Sequence, residues 1–330
     1  MMQAILQNAP GGADTLYVGE AARPAARAGS LLVRVMAAGV NRADIVQREG
    51  HYPPPPGASE LLGLEIAGVV EEVVGPSRFR PGDAVFGLVG GGAYAEYALL
   101  EEELAIPKPD WLSWAEAASL PEAWMTAWLN LVRVAHLDEG ETLLVHAGAS
   151  GVGITAIQLA GMLGAKAIAS AGSAVKLDYC RAHGAAEAFN YRETPAFSAL
   201  LKQWGGVDVI LDPVGASHFN ENVAGLNKDG RLVLIGVMGG TRAEINLGQM
   251  LMRRLTVCGS TLRTQPLEVK AELARALEQY VLPALEQGLA RLTLDSSYPW
   301  QLAADAHAHI EANANLGKVV LTFFPVMSAQ

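Results

Sequence analysis

The feature that most constrains the fold is a glycine-rich turn between a short apolar run and a helical pattern. Residues 142–146 read as a buried strand, and residues 152–163 have the apolar spacing of a helix. Between them lies Gly148-Ala-Ser-Gly151-Val-Gly153, a spacing variant of the dinucleotide fingerprint. Glycines there permit a tight turn, so that a pyrophosphate can rest on free N–H groups at the positive end of the helix. The turn predicts a dinucleotide-binding domain.

The alternation of apolar run and helix continues toward the C-terminus. Short apolar runs, each read as a strand, lie at 166–170, 207–212, 230–236 and 255–259. Helical patterns lie at 174–183 and 266–288. Strands and helices that alternate at these lengths build a doubly wound parallel sheet, whose strands are buried on both faces and therefore read as nearly continuous aliphatic runs.

The first third of the chain has a different pattern, in which short apolar runs are separated by turns. The runs, each read as a strand, lie at 4–6, 31–36, 66–74, 84–86 and 94–98. Punctuation such as Pro81-Gly82 is typical of a β-rich, barrel-like domain. Residues 317–323 form one more apolar run, and we expect this strand to return to the first domain. The chain is therefore predicted to be an α/β protein with two domains.

Length, charge and cysteine content restrict the class further. A chain of 330 residues is too long for one ordinary core, and 51% hydrophobic with 18% charged residues describes a globular protein. The formal charge of −10 argues against nucleic acid and anionic membrane as partners. Because no signal peptide or apolar run of roughly 18–20 residues is present, we expect a cytoplasmic protein. Cys180 and Cys258 are too few for a four-thiolate zinc site and are expected to be buried packing residues.

The residues after the second strand of this domain indicate which dinucleotide binds. About 20 residues past the last glycine, sites specific for NAD place an Asp or Glu against the ribose hydroxyls. This chain instead reads Ala171-Gly-Ser-Ala-Val-Lys176. Ser173 can donate a hydrogen bond to a 2′-phosphate, and Lys176 can supply positive charge, so the pattern favours NADPH. Alternatively, Lys176 is a solvated helix lysine, and Asp178 nearby has to point away from Ser173.

Several segments together resemble one known family over essentially the whole chain. They are Gly39-Val-Asn-Arg-Ala-Asp44, Gly63-Leu-Glu-Ile-Ala-Gly68, Pro81-Gly-Asp83, Pro121-Glu-Ala-Trp-Met-Thr-Ala127, Val145-His-Ala-Gly-Ala-Ser-Gly-Val-Gly153, Phe189-Asn-Tyr-Arg192, Gly236-Val-Met-Gly-Gly240 and Asn315-Leu-Gly-Lys318. With them the sequence resembles the quinone oxidoreductases of the medium-chain dehydrogenase/reductase superfamily. The resemblance implies a GroES-like catalytic domain at 1–117, completed by 291–330, and a Rossmann domain for NADPH at 118–290.

The resemblance also implies a cofactor site and a dimer. The implied cofactor contacts are Ala149, Ser150, Gly151, Val152, Gly172, Ser173, Lys176 and Tyr191, with Thr126, Gly236, Val237, Met238, Gly239, Ser260, Thr261, Leu262 and Asn315 nearer the nicotinamide, in a cleft between the domains. The Tyr191 ring can stack on adenine or donate to the 2′-phosphate, or it is a packed surface tyrosine. Residues 255–260 look like the edge strand that pairs two Rossmann sheets in family dimers, and an aliphatic edge needs covering.

The positions that bind catalytic zinc in related alcohol dehydrogenases have lost their ligands. Zinc takes thiolate and imidazole donors in a tetrahedral array, but this chain has Asn41 in place of the cysteine and Leu64 in place of the histidine before Glu65. We therefore predict no metal and a structural hydrogen-bonding role for Glu65. His146, at a strand end, is also expected to be structural.

Without a Lewis acid, the expected acceptors are those with low-lying empty orbitals, such as quinones and enones, and the protein's work is positioning and water exclusion. Asn41 and Tyr52 are the candidates for holding the acceptor's carbonyl oxygen, because an amide N–H and a phenol O–H can donate to an oxygen that gains negative charge. Alternatively, both orient only the nicotinamide ribose. Asp44 is read as a proton relay or as a helix partner.

Two other functions fit the same resemblance. The first is an NADPH-dependent reductase of enone or enoyl double bonds, which shares the fold and the hydride donor. The second is a non-catalytic, NADPH-binding protein, of which the lens zeta-crystallins in this family are a partial example. Substrate profiling separates the first from the quinone reductase, and absence of turnover identifies the second.

Overall fold

The computed structural model describes residues 1–323, which form two compact units. The first unit comprises Met1–Met125, Arg263–Pro283 and the chain from Leu292 onward, and the second comprises Thr126–Leu262 and Ala284–Arg291. The predicted domains, 1–117 with 291–330 and 118–290, stay a prediction, and residues 324–330 of the C-terminal segment lie outside the described part. The units differ from these boundaries chiefly at 263–283, which groups with the first unit.

The strands and α-helices of the described residues are numbered in chain order. The strands within residues 1–323 are β1 (Met2–Gln7), β2 (Leu16–Ala21), β3 (Ser30–Val40), β4 (Glu65–Val73), β5 (Ala84–Leu88), β6 (Tyr97–Glu101), β7 (Ile106–Pro107), β8 (Thr142–Val145), β9 (Lys166–Ala171), β10 (Ala185–Asn190), β11 (Val207–Asp212), β12 (Leu226–Leu234), β13 (Thr256–Gly259), β14 (Leu294–Pro299) and β15 (Lys318–Thr322). The α-helices of the same residues are α1 (Arg42–Arg48), α2 (Trp114–Ala118), α3 (Pro121–Trp128), α4 (Gly151–Met162), α5 (Ala174–Ala182), α6 (Phe197–Gln203), α7 (Phe219–Gly225), α8 (Leu247–Arg253), α9 (Leu267–Ala276), α10 (Leu282–Glu286) and α11 (Ala303–Glu311).

Short segments of other helix types complete the secondary structure. Turns of 3₁₀ helix lie at Ala13–Thr15, Glu102–Leu104 and Trp300–Leu302. Two π-helical turns, Leu129–Val134 and Leu277–Val281, continue α3 and join α9 to α10. The region predicted as helical at 266–288 is therefore helical, with a change of winding in its middle.

The second unit is built on a parallel sheet. Its strand order over the described residues is β10-β9-β8-β11-β12-β13, and every neighbouring pair is parallel. In the centre, Leu144 lies opposite Ile168 on one side and Ile210 on the other, and all three are fully buried. Helices cover both faces of such a sheet, which explains the continuous aliphatic runs in the sequence. The predicted doubly wound parallel sheet is confirmed.

The first unit is built on a mostly antiparallel sheet. Its strand order is β14-β15-β3-β4-β5-β7, β6 also pairs with β3, and β14 and β15 are parallel to each other. The C-terminal strand β15 pairs with β3, so that Val320 lies opposite Gly39. Residues 317–323 therefore return to the sheet of the first unit, as predicted, and the predicted β-rich character of this unit is confirmed.

Local capping explains where two helices of the first unit begin. At the start of α1, the Asn41 backbone N–H donates to the Asp44 carboxylate, and at the start of α2 the Ser113 and Glu116 side chains accept each other's backbone N–H groups. These pairs satisfy donors that the first helical turn leaves without intrahelical partners.

In residues 1–323, no helix has the length and apolarity that crossing a membrane requires.

Candidate functional site

The glycine-rich turn lies between β8 and α4, as predicted. Ser150 is the N-cap of α4, and its Oγ accepts a hydrogen bond of 3.1 Å from the Gly153 N–H. A Cβ at Gly148 would lie 2.9 Å from the Ala169 Cβ and 3.0 Å from the Cys180 Sγ, so glycine allows the turn to pack on its neighbours. The turn therefore brings the first N–H groups of a helix of 12 residues close to the sheet edge, which is the geometry that receives a pyrophosphate.

The candidate adenosine residues follow the next two strands. Gly172 comes directly after β9, and a Cβ there would lie 2.9 Å from the Tyr191 Oη and 3.1 Å from the Arg192 Nε. Ser173 is the N-cap residue of α5 but its side chain makes no capping bond, and Lys176 lies in the first turn of that helix. A phenol and a guanidinium therefore lie at Gly172, and Ser173 and Lys176 follow it in the chain. Hydroxyl and cationic groups of this kind are what a ribose 2′-phosphate requires.

Arg192 is a functional candidate that the sequence analysis did not select. Its guanidinium lies 5.9 Å from the centre of the Tyr191 ring, and its Nε is next to Gly172. The signal was present in the motif Phe189-Asn-Tyr-Arg192, of which only the tyrosine was interpreted. Only the fold shows that this arginine turns back toward the end of β9.

The remaining predicted cofactor residues of the second unit follow β12 and β13. The loop that holds Gly236, Val237, Met238 and Gly239 is fixed by bonds from the Met238 N–H to the Pro213 carbonyl (3.2 Å) and from the Gly239 N–H to the Val214 carbonyl (2.7 Å). The Ser260 N–H donates to the Leu234 carbonyl at 3.0 Å, while the Ser260 Oγ is buried without a hydrogen-bond partner. Thr261 is exposed, whereas Leu262 and Thr126 are buried.

The predicted residues of the second unit therefore share one edge of the sheet. Ala149 to Val152, Gly172 to Lys176, Tyr191, Gly236 to Gly239 and Ser260 to Leu262 come after the carboxyl ends of β8, β9, β10, β12 and β13, respectively. In a parallel sheet these ends lie together, and they are where ligands of doubly wound folds bind. Thr126 lies apart from them in the chain, in α3.

His146 has the structural role that the sequence analysis expected. Its Nδ1 lies 2.7 Å from the Ser170 Oγ and its Nε2 lies 2.7 Å from the Asn222 Oδ1, while the Asn222 amide nitrogen donates to Asp212 at 2.9 Å. Because the Asn222 oxygen can only accept, the Nε2 carries the hydrogen. Burial lowers the pKa of His146 to about 4, so it is neutral and joins the ends of β8, β9 and β11.

The cysteines differ from the expectation in one respect. Cys180 is buried under the glycine-rich turn, and burial raises the pKa of its thiol to about 12, as a packing residue requires. Cys258 lies on the edge strand β13 and is only partly buried, because one side of that strand has no neighbouring strand in the described sheet.

In the first unit, Asn41 belongs to a buried ionic cluster. The Lys318 Nζ donates to the Glu65 Oε1 at 2.5 Å and to the Asn41 Oδ1 at 2.6 Å, and the Asn41 Nδ2 donates to the same Glu65 oxygen at 2.9 Å. The other Glu65 oxygen accepts the Glu122 backbone N–H at 2.8 Å. The predicted hydrogen-bonding role of Glu65 is therefore present, and Lys318 is the partner that the sequence analysis missed.

This cluster occupies the positions discussed for zinc. Leu64 is buried, and the amide of Asn41 is engaged on both its oxygen and its nitrogen. Among residues 1–323, no group of three or more His, Cys, Asp or Glu side chains is placed to hold a metal ion. An amide nitrogen carries two N–H donors, and the Asn41 amide uses one of them on Glu65. The second can donate to another hydrogen-bond acceptor.

Tyr52 is held by an arginine. The Arg263 guanidinium lies 5.5 Å from the centre of the Tyr52 ring and donates to the Gly90 carbonyl (2.8 Å from Nη2) and to the Gln47 Oε1 (2.7 Å from Nη1). The cation lies in range of the ring and ties the loop that follows α1 to the 88–92 segment. Burial and the Glu122 charge raise the pKa of Tyr52, whereas Arg263 opposes the shift, so the phenol keeps its proton and can donate it.

Glu122 is another residue that the sequence analysis missed. Burial first, and then the charge of Glu65, raise the pKa of the Glu122 carboxyl to about 8, against the opposing charges of Lys318 and Arg263. A carboxylic acid that is neutral near pH 7 can donate a hydrogen bond. Trp124 and Met125 on the same helix are buried in the core.

Asn315 belongs to the first unit. Its amide nitrogen donates to the Gly317 carbonyl at 2.8 Å, which stabilises the turn before β15. Its predicted contact with the cofactor stays a prediction.

Comparisons with known proteins agree with both units. Residues 27–110 match the family of the alcohol dehydrogenase GroES-like domain, and residues 151–279 match the family described as zinc-binding dehydrogenase. The quinone oxidoreductase of Pongo abelii is 30% identical over 328 residues, which cover 97% of this chain and 98% of that protein.

Two solved structures extend the comparison. A mycobacterial protein complexed with NADPH has a TM-score of 0.88 at 29% identity, over 98% of this chain and 100% of that one. CurK enoyl reductase has a TM-score of 0.85 at 25% identity, over 97% and 99% of the two chains.

Proposed function

Because the chain belongs to the quinone oxidoreductase family of the medium-chain dehydrogenase/reductase superfamily, we propose that it is an oxidoreductase that uses NADPH to reduce quinones. The observation that carries the choice of cofactor is that Tyr191 and Arg192 lie at Gly172, with Ser173 and Lys176 following it in the chain. The segment from Ala171 to Lys176 holds no Asp or Glu that would oppose a 2′-phosphate. NADPH would be held by the turn before α4, by Ser173 and by the cations that follow β9 and β10. When bound, it supplies a hydride.

The residues of the first unit would act on the acceptor. A quinone oxygen gains negative charge as the ring is reduced, and the Tyr52 phenol and the remaining Asn41 amide hydrogen can donate to it. Arg263 holds the Tyr52 ring, and Glu65 with Lys318 fixes the Asn41 amide. Since Asn41 and Leu64 stand where related alcohol dehydrogenases have zinc ligands, the reaction is expected to be the reduction of an electron-poor carbonyl rather than the oxidation of an alcohol, which needs a Lewis acid.

Substrate profiling tests this proposal. Consumption of NADPH is compared with an ortho-quinone, a para-quinone and a crotonyl thioester, and we expect the largest kcat/KM with a quinone. The alternative, a reductase of enone or enoyl double bonds, is supported by the similarity to CurK enoyl reductase, and a strong preference for the thioester would establish it. Tight NADPH binding without turnover on any acceptor would instead indicate a non-catalytic protein.

Cofactor preference gives a test of single residues. Arg192→Ala and Lys176→Ala are each expected to weaken NADPH binding by about tenfold, because a charged hydrogen bond to the 2′-phosphate is lost, and to leave NADH binding unchanged. Dissociation constants for both dinucleotides are measured by fluorescence titration. Lys202→Ala, an exposed lysine on α6, is the matched control. Equal weakening of NADPH and NADH would remove the residue from the phosphate site.

We also propose a homodimer that forms through the edge of the parallel sheet. In the described sheet β13 is the last strand, and α8 next to it exposes Leu247, Leu251 and Met252 by 69–77%. An open strand edge beside an exposed apolar helix favours pairing with a second copy. Light scattering is expected to give twice the mass of the chain, and Leu251→Glu is expected to shift it toward the monomer. A monomeric wild-type protein would refute the dimer.

A further inference from the structure

The first unit contains a buried hydrogen-bond chain that the proposed function does not use. It joins Arg48 and Asp44 on α1, Tyr94 ahead of β6, and His307 on α11, and all four residues are fully buried. Burial of a guanidinium, a carboxylate, a phenol and an imidazole is costly unless each group is hydrogen-bonded. The direction of each bond can be derived from the chemistry of its two atoms.

The donor and the acceptor of each hydrogen bond in this chain follow from Arg48. Its Nη1 lies 3.2 Å from the His307 Nδ1, and because a guanidinium can only donate, the Nδ1 accepts and the neutral ring carries its hydrogen on Nε2. The Nε2 lies 3.1 Å from the Tyr94 Oη and donates to it. The phenol hydrogen is then left for the Asp44 Oδ2, at 3.1 Å. Every donor in the chain points toward Asp44.

The charges agree with this direction. Burial, and then the charge of Arg48, lower the pKa of His307 to about 3, and burial with the charge of Asp44 raises the pKa of Tyr94 well above its ordinary value. Both middle groups are therefore neutral. Arg48 is itself held by Glu311, at 2.6 Å from Nη2, and by the Gly11 carbonyl, at 2.9 Å from Nε.

The chain ends at Asn41. The Asp44 Oδ2 that accepts from Tyr94 also accepts the Asn41 backbone N–H at 2.8 Å, while the Asp44 Oδ1 is buried without a partner. The orientation of this carboxylate therefore depends on two donors, one of which is the phenol. The same carboxylate sets the start of α1, and thus the place from which the Asn41 side chain extends to Glu65 and Lys318.

We propose that Tyr94 and His307 are positioning residues of the active site, which act through Asp44 to hold Asn41 in the geometry that receives the acceptor. The proposal rests on the proposed function, since Asn41 is assigned to the acceptor there. Neither residue needs to touch the acceptor, because their effect is carried by the carboxylate that fixes the Asn41 backbone.

The proposal predicts a specific dependence on pH. Burial raises the pKa of Asp44 to about 6, while the Asn41 N–H, Lys318 and the Tyr94 hydroxyl lower it and Glu65 raises it. Glu122 and Arg263 also interact with its charge. Ionised Asp44 is the form that holds Asn41, so activity is expected to fall as the pH drops through about 6. Removal of the phenol hydroxyl removes a donor to the charged form and raises the pKa further.

The experiment compares Tyr94→Phe with the wild type. The acid limb of kcat/KM for a quinone is expected to move to higher pH by about one unit or more, because one hydrogen bond to a carboxylate is lost. His307→Gln keeps an acceptor for Arg48 and a donor for Tyr94, so it is expected to retain the wild-type limb, whereas His307→Leu is expected to shift it. Tyr17→Phe, whose ring is 42% exposed on β2, is the control.

A purely structural role would lower the urea midpoint of Tyr94→Phe and leave its acid limb unchanged, which would overturn the proposal. If the variant does not fold, nitrogen-15 shifts of the wild-type imidazoles decide, with His307→Gln for assignment. A neutral His307 with its hydrogen on Nε2 at pH 6 supports the proposal, and a cationic ring or the other tautomer overturns it. Absence of quinone turnover in the wild type would refute the proposed function separately.

Discussion

Lys318→Met is expected to destabilise the protein by about 3–5 kcal/mol, because it removes one partner of a buried ion pair. The side chains of Lys318 and Glu65 are 4% and 0% exposed, and Lys318 donates to both Glu65 and Asn41. Methionine fills a similar volume but cannot donate, so the Glu65 carboxylate would retain only the Asn41 amide and the Glu122 backbone N–H. The urea midpoint measures the loss.

A double variant separates the charge from the packing. In Lys318→Met with Glu65→Gln no uncompensated charge remains, and more than half of the lost stability is expected to return. Arg254→Met is the control, since it breaks an ion pair with Asp229 whose side chains are 57% and 59% exposed, and it is expected to cost under about 1 kcal/mol. A loss from Lys318→Met as small as that of the control would show that the buried pair contributes little.

The sequence was sufficient to predict a strand where nearly every residue of a segment has to be aliphatic. The aliphatic runs at 142–146 and 207–212 became central parallel strands, because a strand buried on both faces has little choice of residue. In contrast, β2 and α1 were not predicted. Helix α1 has only seven residues, and its Asp44 and Arg48 are buried, whereas charged residues in a sequence suggest a surface.

One strand was displaced for a tertiary reason. The run 94–98 was predicted as a strand, but β6 is Tyr97–Glu101. Ala95 forms an isolated bridge with Ala4, and Tyr94 directs its hydroxyl to Asp44 and His307 instead of joining β6. Apolar residues occur in both 94–98 and 97–101, so the local pattern could not show which of the two segments is the strand.

The candidate site was predictable only in part, because some of its residues are brought together from distant parts of the chain. Residues that follow strands of a parallel sheet meet at one edge by topology, so Ser173 and Tyr191 could be selected from their positions. Lys318 lies 253 residues from Glu65 in the chain, and no local pattern joins them. Arg192 and Glu122 likewise acquire a role only through their neighbours in the fold.

Gly153→Ala is expected to weaken NADPH binding by at least about tenfold and to destabilise the second unit by about 1–3 kcal/mol, because the added methyl group has no space. A Cβ at Gly153 would overlap the Ala147 carbonyl oxygen and lie 2.9 Å from two backbone atoms of Gly148. These are main-chain atoms, so no side-chain rotation relieves the overlap. Ala147 already has a φ of 51°, which limits how the turn can open.

Gly161→Ala on the same helix is the matched control. Nothing lies within 4 Å of a Cβ at Gly161, so alanine replaces a flexible residue in the exposed last turn of α4 and is expected to stabilise the protein by about 0.5–1 kcal/mol. Its NADPH affinity should equal that of the wild type. If Gly153→Ala also binds NADPH normally, the close approach of α4 to the turn is not what positions the pyrophosphate, and the dinucleotide site has to be sought elsewhere on the sheet edge.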